Sequence, residues 1–326
     1  LPKSDYGNGQ RLVARHGRDL RVVHERNEKP SKGWLFWTGT HWALEGGWIL
    51  AQRRAHRTGQ AIGDEAAELE AEGPPAPRGG ESKKELEARE ARHAKRVADH
   101  YKWAVTSGND ARVRGMLAAA APYLSVYQGD LDADPCVLTC ANGTLDLPGA
   151  RLDPDGAATP ARLRPPDRGE LITRHAKAAH DPQADCPRWR ALLARVLPDE
   201  AVRAFLQRAL GYCLTGETGE QIALFFYGSG ANGKSTLLNV LRGVLGDYVA
   251  TMPFAAIQHD QFRRGADATP ELMALLGARI ALASEPEVGA QLSESRLKEQ
   301  SGGEPINVRA LFGDMSTVQP THKLIV

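Results

Sequence analysis

The chain has 326 residues, with 41 Lys+Arg against 40 Asp+Glu and 42% hydrophobic residues. That composition belongs to a folded globular protein, and the length predicts two or three domains. No apolar run is long enough to cross a bilayer, and a net charge of +1 gives in itself no reason to expect a nucleic acid partner. Cys136, Cys140, Cys186 and Cys213 fit neither a disulfide framework nor a CxxC zinc pair, so they read as reduced thiols of a cytoplasmic protein. No signal peptide stands at the start.

Residues 1–60 read as a basic, Trp-rich module containing β-structure. They hold eleven Lys/Arg against five Asp/Glu, and four of the six tryptophans, Trp34, Trp37, Trp42 and Trp48. Residues 33–44 alternate around a Gly-containing turn, which predicts a hairpin. Two readings of the tryptophans stay open: core of a small module, or a surface on which single-stranded bases stack. Residues 61–99 read as charged helices broken by a Pro/Gly linker at 73–80, and their ten acids against seven basic residues offset part of the basic start. Ser82 and Glu85 form a capping-box pattern at the head of the second helix.

Residues 100–197 read as a mostly helical domain with one β-hairpin, turned by Asn142-Gly143 between apolar stretches. Helices are expected at about 187–197 and 199–215. In the second, Val202, Phe205, Leu206, Ala209, Leu210 and Cys213 line one face.

The informative stretch begins at Ile222. An apolar run of strand type leads into Gly228-Ser229-Gly230-Ala231-Asn232-Gly233-Lys234-Ser235-Thr236, and a helical pattern follows. This is the strand–loop–helix context of a phosphate-binding P-loop. Its glycines let successive amides converge on a phosphate, and the helix start adds positive partial charge there. Lys234 is expected to reach the β- and γ-phosphates of ATP, with the Ser235 hydroxyl on Mg²⁺. A second apolar strand, residues 280–283, ends at Ser284-Glu285-Pro286-Glu287, 51 residues after Lys234 counted to Glu285. Glu285 is the first candidate for holding Mg²⁺ and orienting the attacking water, and Glu287 the second. Residues 301–318 then predict a hairpin, and residues 322–326 open another apolar strand.

That order of P-loop, acidic strand end, hairpin and terminal strand resembles superfamily 3 helicases of the phage and plasmid primase type. Upstream, residues 141–147, 171–173, 186–189 and 205–216 resemble the helical domain that precedes the helicase core, as in poxvirus primase-helicases. The resemblance implies an α/β fold: a P-loop AAA+ type ATPase core over residues 198–326, preceded by a mostly helical domain and the small β-containing module. It implies a ring, usually a hexamer, with ATP between subunits and hairpins lining a channel that tracks single-stranded or forked DNA. It also implies a primase domain elsewhere in the same polypeptide, action in DNA replication in a bacterial host cell from a phage or plasmid, and no membrane. Lys298 matches a basic position at the head of the hairpin motif. Arg309 and Phe312 are the channel-facing candidates, for phosphate contact and stacking, with a packing role for Phe312 left open. Ser284 stands where many members carry another acid, and Ala310 where a second Arg is frequent. The family's polar third-motif residue and arginine finger would lie beyond Val326, so the chain is expected to be a fragment that hydrolyses ATP slowly; loss of such a finger costs on the order of 10³–10⁵ in rate. An ATP-binding module for assembly or DNA loading, without unwinding, is the alternative, and a small-molecule kinase is disfavoured by the hairpin.

Overall fold

The computed structural model describes residues 1–24, 30–77, 79–147, 160–228, 230, 232–259, 270–284, 289–309 and 315–326. They form two compact units, Leu1–Trp37 with Ala43–Gln128, and Thr38–Trp42 with Gly129–Val326. This division falls near residue 128, whereas composition alone places boundaries at 60, 99 and 197. The basic first sixty residues share their core with helices drawn from residues 43–124, and so do not close on themselves.

In chain order the first unit contains α1 (Asp5–His16), β1 (Leu20–His24), β2 (Pro30–Trp37), the two-residue β3 (Trp42–Ala43) at its boundary, α2 (Gly47–Glu72), α3 (Lys83–Ser107), α4 (Asp110–Ala120) and β4 (Ser125–Tyr127). Ser4 caps α1 by accepting from the Gly7 amide at 3.1 Å. β1 pairs antiparallel with β2, Val22 opposite Trp34, and parallel with β4. Leu12, Leu20, Val22 and Trp34 are buried against the small face Ala51 and Ala55 of α2 and against Val113, Met116 and Leu117 of α4. Trp34 and Trp42 are therefore core residues, whereas Trp48 keeps 44% of its surface exposed. The expected capping box is present: the Ser82 amide donates to the Glu85 carboxylate at 2.8 Å, and the Glu85 amide to Ser82 Oγ at 3.4 Å. Two buried polar ties fix the helices. Asn8 donates to Ser107 Oγ at 2.9 Å and accepts from Trp103 Nε1 at 3.0 Å, while the Arg11 guanidinium forks onto the Glu65 carboxylate.

The second unit continues with β5 (Val137–Cys140), β6 (Gly143–Asp146), β7 (Arg162–Arg164), α5 (Pro187–Val196), α6 (Glu200–Leu214), β8 (Ala223–Leu224), α7 (Lys234–Leu245), β9 (Val249–Met252), α8 (Pro270–Met273), β10 (Ile280–Ala283), α9 (Glu294–Ser301), β11 (Ile306–Arg309), β12 (Met315–Val318) and β13 (Lys323–Ile325). The Asn142-Gly143 hairpin forms as expected, and β7 adds a third antiparallel strand. The stretch expected to be mostly helical is therefore mixed after residue 128. The buried stripe of α6 is narrower than its pattern suggests: Leu206, Ala209 and Cys213 are buried, but Val202 and Phe205 are exposed.

The central sheet is wholly parallel, in the order β8-β13-β10-β9. Side chains alternate across it, as a strand requires. Ile280, Leu282 and Ile325 pack with Leu138 and Leu145 of the β5–β6 hairpin and Leu245 of α7. Ala281, Leu324 and Met252 pack on the other face with Ile306 and Val308 of β11. Among the described residues no helix is long and apolar enough to cross a membrane, and the four cysteines are free thiols.

His322 precedes β13 with both ring nitrogens buried and without a hydrogen-bond partner among the described residues. Burial, with Lys323 beside it, pulls its pKa down to about 4 from an ordinary 6.5. A depressed histidine contributes stability that is present above pH 6.5 and lost as pH falls through 4, on the order of 3 kcal/mol in full. Denaturant midpoints at pH 7 and pH 4.5 should fall further for the wild type than for His322→Leu. An equal fall in both would mean that His322 does not carry this acid sensitivity.

Candidate functional site

The loop after β8 is built by the sheet beneath it. The Val326 amide donates to Leu224 O at 2.9 Å, and the Phe226 amide to Val326 O at 2.8 Å, so the β8–β13 ladder runs up to the loop's doorstep. At the far end α7 starts on Lys234, with Gly233 as its cap at φ +86°. A side chain is strained at that angle, and a Cβ there would lie 2.7 Å from Val196 Cγ1, the last residue of α5. Gly230 is also left-handed, at φ +89°.

Lys234 Nζ donates to Gly228 O at 3.3 Å and to Asn232 Oδ1 at 3.1 Å. The ammonium is thus held across the loop, at the amino end of α7, where free amides and the helix dipole favour an anion. Ser235 and Thr236 lie exposed on the first turn of α7, while Leu237 is buried and anchors it. The structure therefore brings together Gly228, Gly230, Asn232, Gly233, Lys234, Ser235 and Thr236. Ser229 and Ala231 lie outside the described residues.

Glu285, Glu287 and Phe312 lie outside the described residues too. Their neighbours are informative. Ser284, where the resemblance leads one to expect an acid, is a backbone tie: its Oγ accepts from the Phe254 amide at 2.8 Å and its amide donates to Met252 O at 2.9 Å. β8 and β10 end on the same edge of the parallel sheet with β13 between them, which sets their ends about 10 Å apart. Lys298 is exposed on α9, a helix capped by Ser293. β11 and β12 pair from Ile306 opposite Val318 to Arg309 opposite Met315, which places Arg309 at the closing end of this hairpin. Among the described residues no group of three or more His, Cys, Asp or Glu is placed to hold a metal ion.

Sequence reasoning missed Val196 as a wall of the loop, and it missed two buried cations beneath the sheet. Arg279 Nη2 donates to Asp134 O at 3.0 Å and to Val137 O at 3.1 Å. Lys323 Nζ donates to Thr215 O and, at 3.1 Å, to Glu217 O. Charged side chains are seldom buried, so nothing in their spacing signals this.

Gly233→Ala should unsettle the loop through both the strained angle and the Val196 contact. Lower thermal stability and a loss of roughly tenfold or more in nucleotide affinity are expected, each strained residue costing about 1–3 kcal/mol. Titration with a fluorescent ATP analogue checks this, and undiminished affinity would contradict the described loop.

Curated relatives share part of the chain. A protein from Acanthamoeba polyphaga mimivirus named Putative helicase is 28% identical over 195 residues, 60% of this chain and 19% of that protein. A Putative helicase from Frog virus 3 (isolate Goorha) is 29% identical over 140 residues, 42% of this chain and 14% of its own length. The chain thus spans less than a fifth of the length of these relatives. Among solved structures, the apo C-terminal region of NrS-1 is similar with a TM-score of 0.36 and 16% identity, over 44% of this chain and 34% of that one. An A-form apo structure of the same region gives 0.34 and 13%, over 50% and 43%. Residues 9–198 match the family described as D5 N terminal like, and they run through the first unit, the β5–β7 sheet and the helix whose last side chain walls the loop. Since more than half of the 326 residues lie within that match, the chain belongs to the D5 N terminal like family.

Proposed function

We propose that this chain is the ATP-dependent DNA helicase segment of a primase-helicase that acts in DNA replication, a ring-forming translocase on single-stranded or forked DNA. The observation that carries the reading is the loop at the carboxyl edge of a parallel sheet. There Lys234 spans Gly228 and Asn232, and Gly233 opens α7 in a conformation suited to glycine. The relatives named as putative helicases support DNA as the substrate.

The donor set suits a nucleoside triphosphate with its magnesium ion: a helix start, an ammonium and a hydroxyl stand on the consecutive residues Gly233, Lys234 and Ser235. Lys234 would bind the β- and γ-phosphates and the Ser235 hydroxyl would hold Mg²⁺, with Glu285 as the second holding group. Mg²⁺, when bound, neutralises phosphate charge. Glu285, assisted by Glu287, would orient the attacking water and accept its proton. Lys298, Arg309 and Phe312 would meet the DNA strand in the channel of a homohexamer. Residues 198–326 would supply the ATPase core and residues 100–197 the domain ahead of it, with the basic 1–60 module and the charged 61–99 helices leading in. A primase domain would lie elsewhere in the same polypeptide, working in the cytoplasm of a bacterial host cell.

ATP hydrolysis stimulated by single-stranded DNA should fall by roughly 100-fold or more in Lys234→Ala. Glu285→Gln should keep nucleotide affinity while losing turnover. Hydrolysis that DNA does not stimulate and Lys234→Ala does not change would sink the reading.

A further inference from the structure

α2 carries its charges in two blocks. From Gly47 to Gly63 it has Arg53, Arg54, Arg57 and His56 and no acid; from Asp64 to Glu72 it has Asp64, Glu65, Glu68, Glu70 and Glu72 and no base. A helix dipole favours the reverse order, acids near the start and bases near the end. Within each block like charges also stand four residues apart, Arg53 with Arg57 and Asp64 with Glu68, and such pairs repel. The arrangement therefore does not serve the helix itself.

The acidic block is answered inside the unit. Glu65 takes Arg11 and His100, and Glu70 accepts from Tyr101 Oη at 3.0 Å. The basic block is not. α3, the partner helix, ends at Ser107, level with Gly59 of α2, so Arg53, Arg54 and Arg57 lie beyond its reach. Among the described residues these three arginines and Arg18 make no ion pair or side-chain hydrogen bond. At about 100° per residue they occupy one sector of α2, away from its buried Ala51–Ala55–Ile62 stripe.

The end of α1 extends the cluster. His16 is held below its ordinary pKa first by partial burial and then by Arg54, Arg15 and Arg57, with Asp19 acting against them. Arg15, from the same turn, shares Glu65 with Arg11 at 3.5 Å. Ile49, one turn ahead of Arg53 on the same side of α2, is 61% exposed.

We infer that this face of the first unit, Arg53, Arg54 and Arg57 of α2 with Arg15 at the end of α1, is a binding site for the phosphates of single-stranded DNA, with Ile49 offering apolar surface at its margin. Arg53, Arg54 and Arg57, mutually repelling and without an ion pair among the described residues, gain most from a polyanion, whose counterions they release. That the polyanion is DNA rests on the helicase reading; the clustering of charge does not.

The test is fluorescence anisotropy of the full chain with a labelled single-stranded oligonucleotide, without nucleotide, across a series of salt concentrations. Arg53→Ala/Arg54→Ala/Arg57→Ala should lower the log–log salt slope by about 2, and affinity in 0.1 M salt by about 100-fold, given one phosphate per arginine. The triple variant relieves repulsion, so its thermal unfolding should not move down. An unaltered slope and affinity in the triple variant would overturn the inference and leave an acidic protein surface as the partner class. DNA binding that shows these losses in a chain that fails to hydrolyse ATP would sink the motor and uphold this face.

Discussion

Two cations buried beneath the parallel sheet organise the second unit. Arg279 stands at the foot of β10 and Lys323 opens β13, and each reaches away from the sheet to backbone carbonyls of segments 134–137 and 215–217. Taking such charges out of water costs several kcal/mol, which only good hydrogen-bond geometry offsets. Lys323 finds it at the end of α6, where Thr215 caps the helix and the dipole is negative, with the Tyr212 ring 4.8 Å away. Even so, burial pulls its pKa down to about 8. Arg279 lies over the Tyr248 ring. With the amino end of the sheet closed in this way, its carboxyl end is left for chemistry, as is general in open α/β sheets.

The same ties bind the later part of the family region to the sheet. The Asp247 amide donates to His175 O at 3.1 Å, and the Ala178 amide to Val244 O at 3.2 Å, so residues 175–178 run along the end of α7. Val196, near the close of the 9–198 match, touches Gly233 at the head of the same helix. The family region thus contributes to two structures: its first part folds with α1–α4, and its second part is built into the unit that holds the loop.

Much of this was legible in the residues. Period-2 and period-3.6 patterns place β5–β6, α6, α7, β10, the β11–β12 hairpin and β13 close to where they occur, because each buries a regular apolar face. Ser82–Glu85 and Asn142–Gly143 are local signals with local physics, and both appear as read. What was illegible is long-range. The pattern of α6 cannot tell that Val202 and Phe205 stay exposed, since an apolar side chain shows its period but not its neighbour. The joining of residues 1–37 to α2 and α4 depends on contacts far apart in sequence. Of the site, the glycines and Lys234 were readable from spacing, whereas Ser284 as a backbone tie and Val196 as a wall were not, because both depend on where distant strands and helices come to rest.

The central claim is that the loop between β8 and α7 is where a nucleotide binds. Hydrogen exchange of the chain with and without ATP and Mg²⁺ addresses it directly, because the amides that would grip phosphate are those that exchange with water. Slowed exchange confined to residues 226–237, with the amino end of the sheet unchanged, is the predicted result. Nucleotide that leaves those amides untouched, or protects a different part of the chain, would contradict the account.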